Sequence, residues 1–92
     1  MFDIVPKLAY YKNMTYETYS KNTSFNVQKA LEKSGYTIAE AARLTGMARQ
    51  TLSRHLNNPV HSPFNVIELA ALANLTNRSP ISFLKTPAKE NQ

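Results

Sequence analysis

The sequence predicts an all-α domain, and three observations carry that expectation. Ser24, Thr37, Ser62 and Ser79 each stand ahead of a run with apolar residues at helical spacing, where a side-chain oxygen satisfies the orphan amides of a helix start. Two short amphipathic runs between Thr37 and Leu56 flank Gly46, a residue that can take the positive φ of a tight reversal. Phe64 to Ala73 is apolar nearly all round and is opened by Ser62-Pro63, a cap followed by a proline in the first helical position. Ninety-two residues suit one small domain with a single modest core. The expected division is an N-terminal arm or extra element over 1–23, the domain over 24–84 and a mobile polar tail over 85–92.

The arm admits two readings of equal weight. Asp3 can cap a short helix through Pro6, with Ile4, Leu8 and Tyr11 along one side. Alternatively Lys12-Asn13 turns a hairpin whose second strand is Met14 to Tyr19, a stretch mixing threonine and tyrosine. The arm is too apolar for a disordered leader and is expected to pack on the domain or on a second subunit.

The first helix of the domain is expected from a cap at Asn22, Thr23 or Ser24 through Lys33, ending at Gly35 in left-handed geometry. Phe25, Val27, Ala30 and Leu31 form its buried side. Tyr36 then staples the entry to the second helix, which begins at Ile38. Thr37 followed by Glu40 is a capping box, and Ile38, Ala41, Ala42 and Thr45 recur at helical spacing, the small Ala42 letting a second helix approach closely. The chain turns over Thr45 to Ala48. In the third helix Leu52 and Leu56 share the inner side with His55 beside them, while Arg49, Gln50, Ser53 and Arg54 cluster on the outer side. Asn57 to His61 is a loop, since Pro59 cannot continue a helix. The fourth helix, Phe64 to Ala73, is expected to be the most buried element. Ser79-Pro80 repeats the cap-plus-proline device before a short fifth helix carrying Ile81, Phe83 and Leu84.

Eleven Lys and Arg against six Asp and Glu leave a formal charge of +5, which favours a polyanionic partner, nucleic acid first among them. The absence of cysteine removes disulfides, thiolate chemistry and Cys-based zinc sites. No apolar stretch approaches ~18 residues and no basic-then-apolar leader opens the chain, so a cytoplasmic protein that neither spans a membrane nor is secreted is expected. His55 and His61 are six positions apart with no neighbouring carboxylate, and the two glycines each have a backbone role. No metal site, no cofactor, no phosphate loop and no catalytic constellation is therefore expected.

The pattern Ala-Ala-x-x-x-Gly-Met-x-Arg-x-Thr-Leu-x-x-x-Leu from Ala41 to Leu56 resembles the DNA-binding helix-turn-helix of Fis and related bacterial activators. The flanking segments, over roughly Ser24 to Leu84, resemble the domain of phage Cro and lambda-type repressors, the xenobiotic-response-element family. The resemblance implies a lambda-repressor-like five-helix fold with an N-terminal arm. It also implies a third helix that enters the major groove of double-stranded DNA. Arg49, Gln50, Ser53 and Arg54 are then the candidates for base contacts, arginine pairing with guanine and glutamine with adenine. Thr37, Arg43, Asn57, Asn58 and Ser62 are the candidates for phosphate contacts. One departure stands out: Ala48 occupies a position where related repressors carry Ser or Thr, so the recognition helix lacks its usual cap.

One recognition helix covers few base pairs, so a homodimer on a two-fold operator is expected, its interface drawn from Ile81, Phe83, Leu84 and the arm unless these close the core. The function implied is a sequence-specific transcription regulator, a repressor of phage or mobile-element type. The alternative is an antitoxin that neutralises a toxin, or another regulatory protein partner, while controlling its own promoter. The operator, the sense of regulation and any inducer are not legible.

Overall fold

The structure, a computed structural model, describes residues 15–87. The readings of residues 1–14 as a helix or first strand, and of 88–92 as a tail, lie outside the described residues. Among the described residues the chain is all helical, in the order α1 (Tyr16–Ser34), α2 (Ile38–Thr45), α3 (Arg49–Asn57), α4 (Val66–Thr76) and a 3-10 helix over Pro80–Leu84. No helix among them is long and apolar enough to cross a membrane.

Three of these helices end the same way. Gly35, Gly46 and Asn77 take φ of 80°, 79° and 60°. At each, the residue in left-handed geometry and its successor return their N–H groups to the last turn: Gly35 to Glu32 and Tyr36 to Leu31, Gly46 to Arg43 and Met47 to Ala42, Asn77 to Asn74 and Arg78 to Ala73. This Schellman arrangement satisfies orphan carbonyls and sets the next segment at a sharp angle. Tyr36 and Met47, the residues after the two glycines, pack against the core as such motifs require.

The core is small. Val27, Leu52, Leu72 and Phe83 are its largest fully enclosed side chains, one each from α1, α3, α4 and the 3-10 helix. Burying such a side chain stabilises by about 1.5 to 3 kcal/mol. Ala30, Ala41, Ala42 and Ala73 fill the gaps between them, which lets the short helices approach closely.

Four sequence expectations are corrected. First, α1 starts at Tyr16, not at Ser24: Thr15 is the cap, its hydroxyl accepting the Thr18 N–H, so the strand over Met14 to Tyr19 is replaced by helix from Tyr16 onward. Thr23 and Ser24 are consequently buried in mid-helix. Second, Phe25 is exposed, because a helix that buries Val27, Ala30 and Leu31 turns position 25 outward. Third, α4 starts at Val66, three residues beyond the Pro63 expectation, because Asn65 and Glu68 close a full capping box that Ser62 does not. Its burial is one-sided: Leu69, Leu72, Ala73 and Thr76 face inward at i, i+3, i+4, i+7, while Val66 and Ile67, in the first turn, are 79 % and 80 % exposed. Fourth, the fifth helix is a single 3-10 segment, capped by Ser79, whose only buried residue is Phe83. Phe83 is thus unavailable to a dimer interface, whereas Ile81 and Leu84 remain exposed.

Candidate nucleic-acid interface

α2 is held at its start by the expected capping box, Thr37 N–H donating to Glu40 Oε1 at 2.9 Å and Glu40 N–H to Thr37 Oγ1 at 3.1 Å. These bonds lower the Glu40 pKa below the usual carboxylate value; the Thr37 backbone N–H is the largest cause, the Thr37 side chain the next, and the Arg43 charge adds to both. Ala41 and Ala42 are buried beneath α2, Thr45 returns its hydroxyl to the Ala41 carbonyl at 2.7 Å, and Gly46 turns the chain into α3.

α3 begins at Arg49 and its cap position is Ala48, in extended geometry and with no side-chain bond to the orphan amides, as the departure noted above implies. Leu52 is fully enclosed and His55 is buried, while Leu56 packs half-buried against the same core. The opposite stripe carries Arg49, Gln50, Arg54 and Asn57 exposed and Ser53 half-buried, at positions i, i+1, i+5, i+8 and i+4. The family resemblance puts Asn57 among the phosphate candidates. Asn57 stands on the same stripe as the base candidates, and its Nδ2 donates to Ser53 Oγ at 3.1 Å.

The C-terminal end of α3 is secured from three sides. Ser24, in mid-α1, directs its hydroxyl at the carbonyls of His55 (3.2 Å) and Leu56 (3.0 Å), groups near the helix end where carbonyls lose their own partners. Asn58, the residue after α3, donates its N–H to Arg54 O and accepts that of Ser62, closing the following loop. His55 itself reaches outward from the core. Its Nδ1 lies 2.6 Å from the Ser62 carbonyl, which can only accept, so Nδ1 carries the proton. The ring also packs tilted on Phe64 at 4.7 Å between centroids. Its Nε2 lies 3.0 Å from Glu68 Oε1, though without the alignment of a hydrogen bond. The expectation that His55 has no neighbouring carboxylate is therefore overturned: the loop after α3 folds α4 back so that a residue thirteen positions on supplies one.

The phosphate candidates are dispersed over three elements. Thr37 and Arg43 are exposed on α2, Asn57 closes α3, and Asn58 and Ser62 belong to the loop, where Ser62 is half-buried against His55. Thr37 spends an acceptor lone pair on the cap but keeps its O–H to donate. Arg49 and Arg54 form no ion pair among the described residues, and so present uncompensated guanidinium groups on the outer stripe.

A family model described as helix-turn-helix matches residues 27–83, more than half of the chain and the whole of α2 and α3. No curated protein and no solved structure matches the chain.

Proposed function

The chain belongs to the Cro/C1-type helix-turn-helix family and is a DNA-binding transcriptional regulator; from that premise we propose that it is a sequence-specific repressor of phage or mobile-element type, acting in the cytoplasm on a two-fold operator as a homodimer. The observation that carries the proposal is the outer stripe of α3, where Arg49, Gln50, Ser53, Arg54 and Asn57 form a continuous donor-rich face with no apolar residue in it. Such a face suits the edges of major-groove bases, which offer acceptors on guanine and a donor-acceptor pair on adenine. Arg49 and Gln50 lie in the first turn, the part of a recognition helix that reaches deepest. Thr37, Arg43, Asn58 and Ser62 are the phosphate contacts of this reading, and the exposed Ile81 and Leu84 its dimer contacts.

The test is a footprint of the full chain on the DNA upstream of its own gene, with sedimentation of the complex. Two protected half-sites about one DNA turn apart, with two chains bound, are expected. Uniform protection without a bounded site would overturn sequence specificity, and one chain on one half-site would overturn the dimer. A second reading, an antitoxin that also controls its own promoter, draws support from Val66 and Ile67, two neighbouring apolar residues left exposed that a protein partner would cover. Co-purification of a toxin encoded by the adjacent gene distinguishes it.

A further inference from the structure

Phe25, Lys29 and Lys33 recur at i, i+4, i+8 on α1, on the stripe turned away from Ser24 and therefore from α3. Across from them stand Arg78, just past the end of α4, and Phe83 with Pro87. Together they bound a groove of about 290 Å³, at the small end of the range for ligand pockets and of a size for one anchoring side chain. The far wall is fixed in place: Asn26 spends both amide hydrogens on the carbonyls of Phe83 (2.8 Å) and Lys85 (2.7 Å). No acidic residue lines the groove. Lys33 and Arg78 take part in no ion pair among the described residues. Lys29 divides its ammonium between Glu32 at 3.9 Å and the Phe25 ring, 5.7 Å from the centroid. Three like charges around one partly apolar hollow repel one another, and an anion seated there would relieve that repulsion.

We propose that this groove docks an acidic segment of a partner protein. An aromatic or aliphatic side chain of that segment enters between Phe25 and Pro87, and its flanking carboxylates meet Lys33, Arg78 and Lys29. The groove is open along one side, as a chain segment passing across it requires. A small molecule there would stay largely in water, whereas small-ligand sites enclose most of their ligand. DNA phosphates would meet the cations but leave the apolar floor unused. The site lies apart from the outer stripe of α3, so the inference does not rest on the function proposed above.

The test is a titration of the nitrogen-15-labelled full chain, followed by amide shifts, with the peptide acetyl-Glu-Glu-Phe-Glu-Glu-amide. Acetyl-Gln-Gln-Phe-Gln-Gln-amide and acetyl-Glu-Glu-Ser-Glu-Glu-amide are the controls. Saturable shifts are expected at Asn26, Lys33 and Ser82, with a Kd of about 1 mM or tighter. Both controls bind more weakly. Lys33→Gln and Arg78→Gln, exposed positions whose folding the same spectra verify, each weaken the peptide about two- to fivefold. The proposal is overturned by the absence of saturable shifts, by equal binding of either control, or by indifference to both substitutions. Tighter binding of phenylpropanoate at the same amides would make this a small-anion site instead, and displacement of the peptide by duplex DNA would make it a phosphate-contacting surface; either result also overturns the proposal.

Discussion

His55 and Glu68 meet at 3.0 Å, ring nitrogen to carboxylate oxygen, although they come from different helices and both are largely withdrawn from water. The same Glu68 oxygen accepts the Asn65 N–H that caps α4. One carboxylate thus starts α4 and faces the ring that holds the end of α3, so the cap of α4 and the end of α3 meet at a single side chain.

A double-mutant cycle tests that contact. His55→Phe and Glu68→Gln should each destabilise by about 1 to 3 kcal/mol, the first by leaving the Ser62 carbonyl without its donor. Their coupling energy in urea denaturation should be at least about 0.5 kcal/mol. Strict additivity would mean that the short distance carries no energy.

Leu52→Ala removes the largest enclosed side chain of α3 and should cost about 2 to 5 kcal/mol. Calorimetry that finds the melting temperature nearly unchanged would contradict its burial.

Ala48→Ser supplies the missing cap. The backbone there already has φ −69° and ψ 139°, the extended geometry of a cap residue, and the side chain is exposed. A gain of about 0.5 to 2 kcal/mol is expected. If stability does not rise, water already satisfies those amides and the cap contributes nothing here.

Glu40 gives the fold an acid-sensitive element. Its folded-state pKa is lowered from 4.5, chiefly by the Thr37 N–H. The stability this contributes is fully present above the unfolded value and is lost as pH falls through the lower folded value. The stability gap between the wild type and Glu40→Gln should therefore be constant near neutrality and shrink in acid. Denaturation series across that range check the sign, and a gap that widens in acid would refute it.

Arg49→Ala and Gln50→Ala should each remove about 1 to 3 kcal/mol of discrimination at one operator position while affecting unrelated DNA much less. Arg43→Ala should instead weaken both DNAs alike and reduce the magnitude of the salt slope by about one unit. Binding to operator and scrambled duplexes at several salt concentrations separates the two patterns. Equal losses on both DNAs for Arg49 and Gln50 would remove base reading from α3.

What was legible in the sequence was governed by local chemistry. The capping box at Thr37, the turn at Gly46, the uncapped Ala48 and the inward Leu52 depend on residues within one or two turns of each other, and each stands in the structure as expected. What was missed depends on contacts across the chain or on choosing between rival caps. Ser24 resembled a helix start, but its hydroxyl serves carbonyls more than thirty residues away. Thr15, with Glu17 in the following turn, was the signal for the true start. Ser62-Pro63 reads as the start of α4, yet the reciprocal bonds between Asn65 and Glu68 set its start at Val66. The uniform apolarity of α4 hid which side faces inward, because composition alone gives a helix no orientation. For the outer stripe of α3, counting onward from Arg49 at helical spacing would have brought Asn57 into it.

α3 is short enough that every turn has one tenant facing each way. Leu52, His55 and Leu56 are occupied with keeping the domain together, while Arg49, Gln50, Arg54 and Asn57 are exposed and Ser53 is half-buried, none of them part of the core cluster. The two sets share no member, so the outer one can drift without folding being at stake. The lone internal tie is the bond between Asn57 and Ser53, which makes those two positions a pair that should change together. A descendant of this protein could alter its chemical face one substitution at a time on an unchanged scaffold.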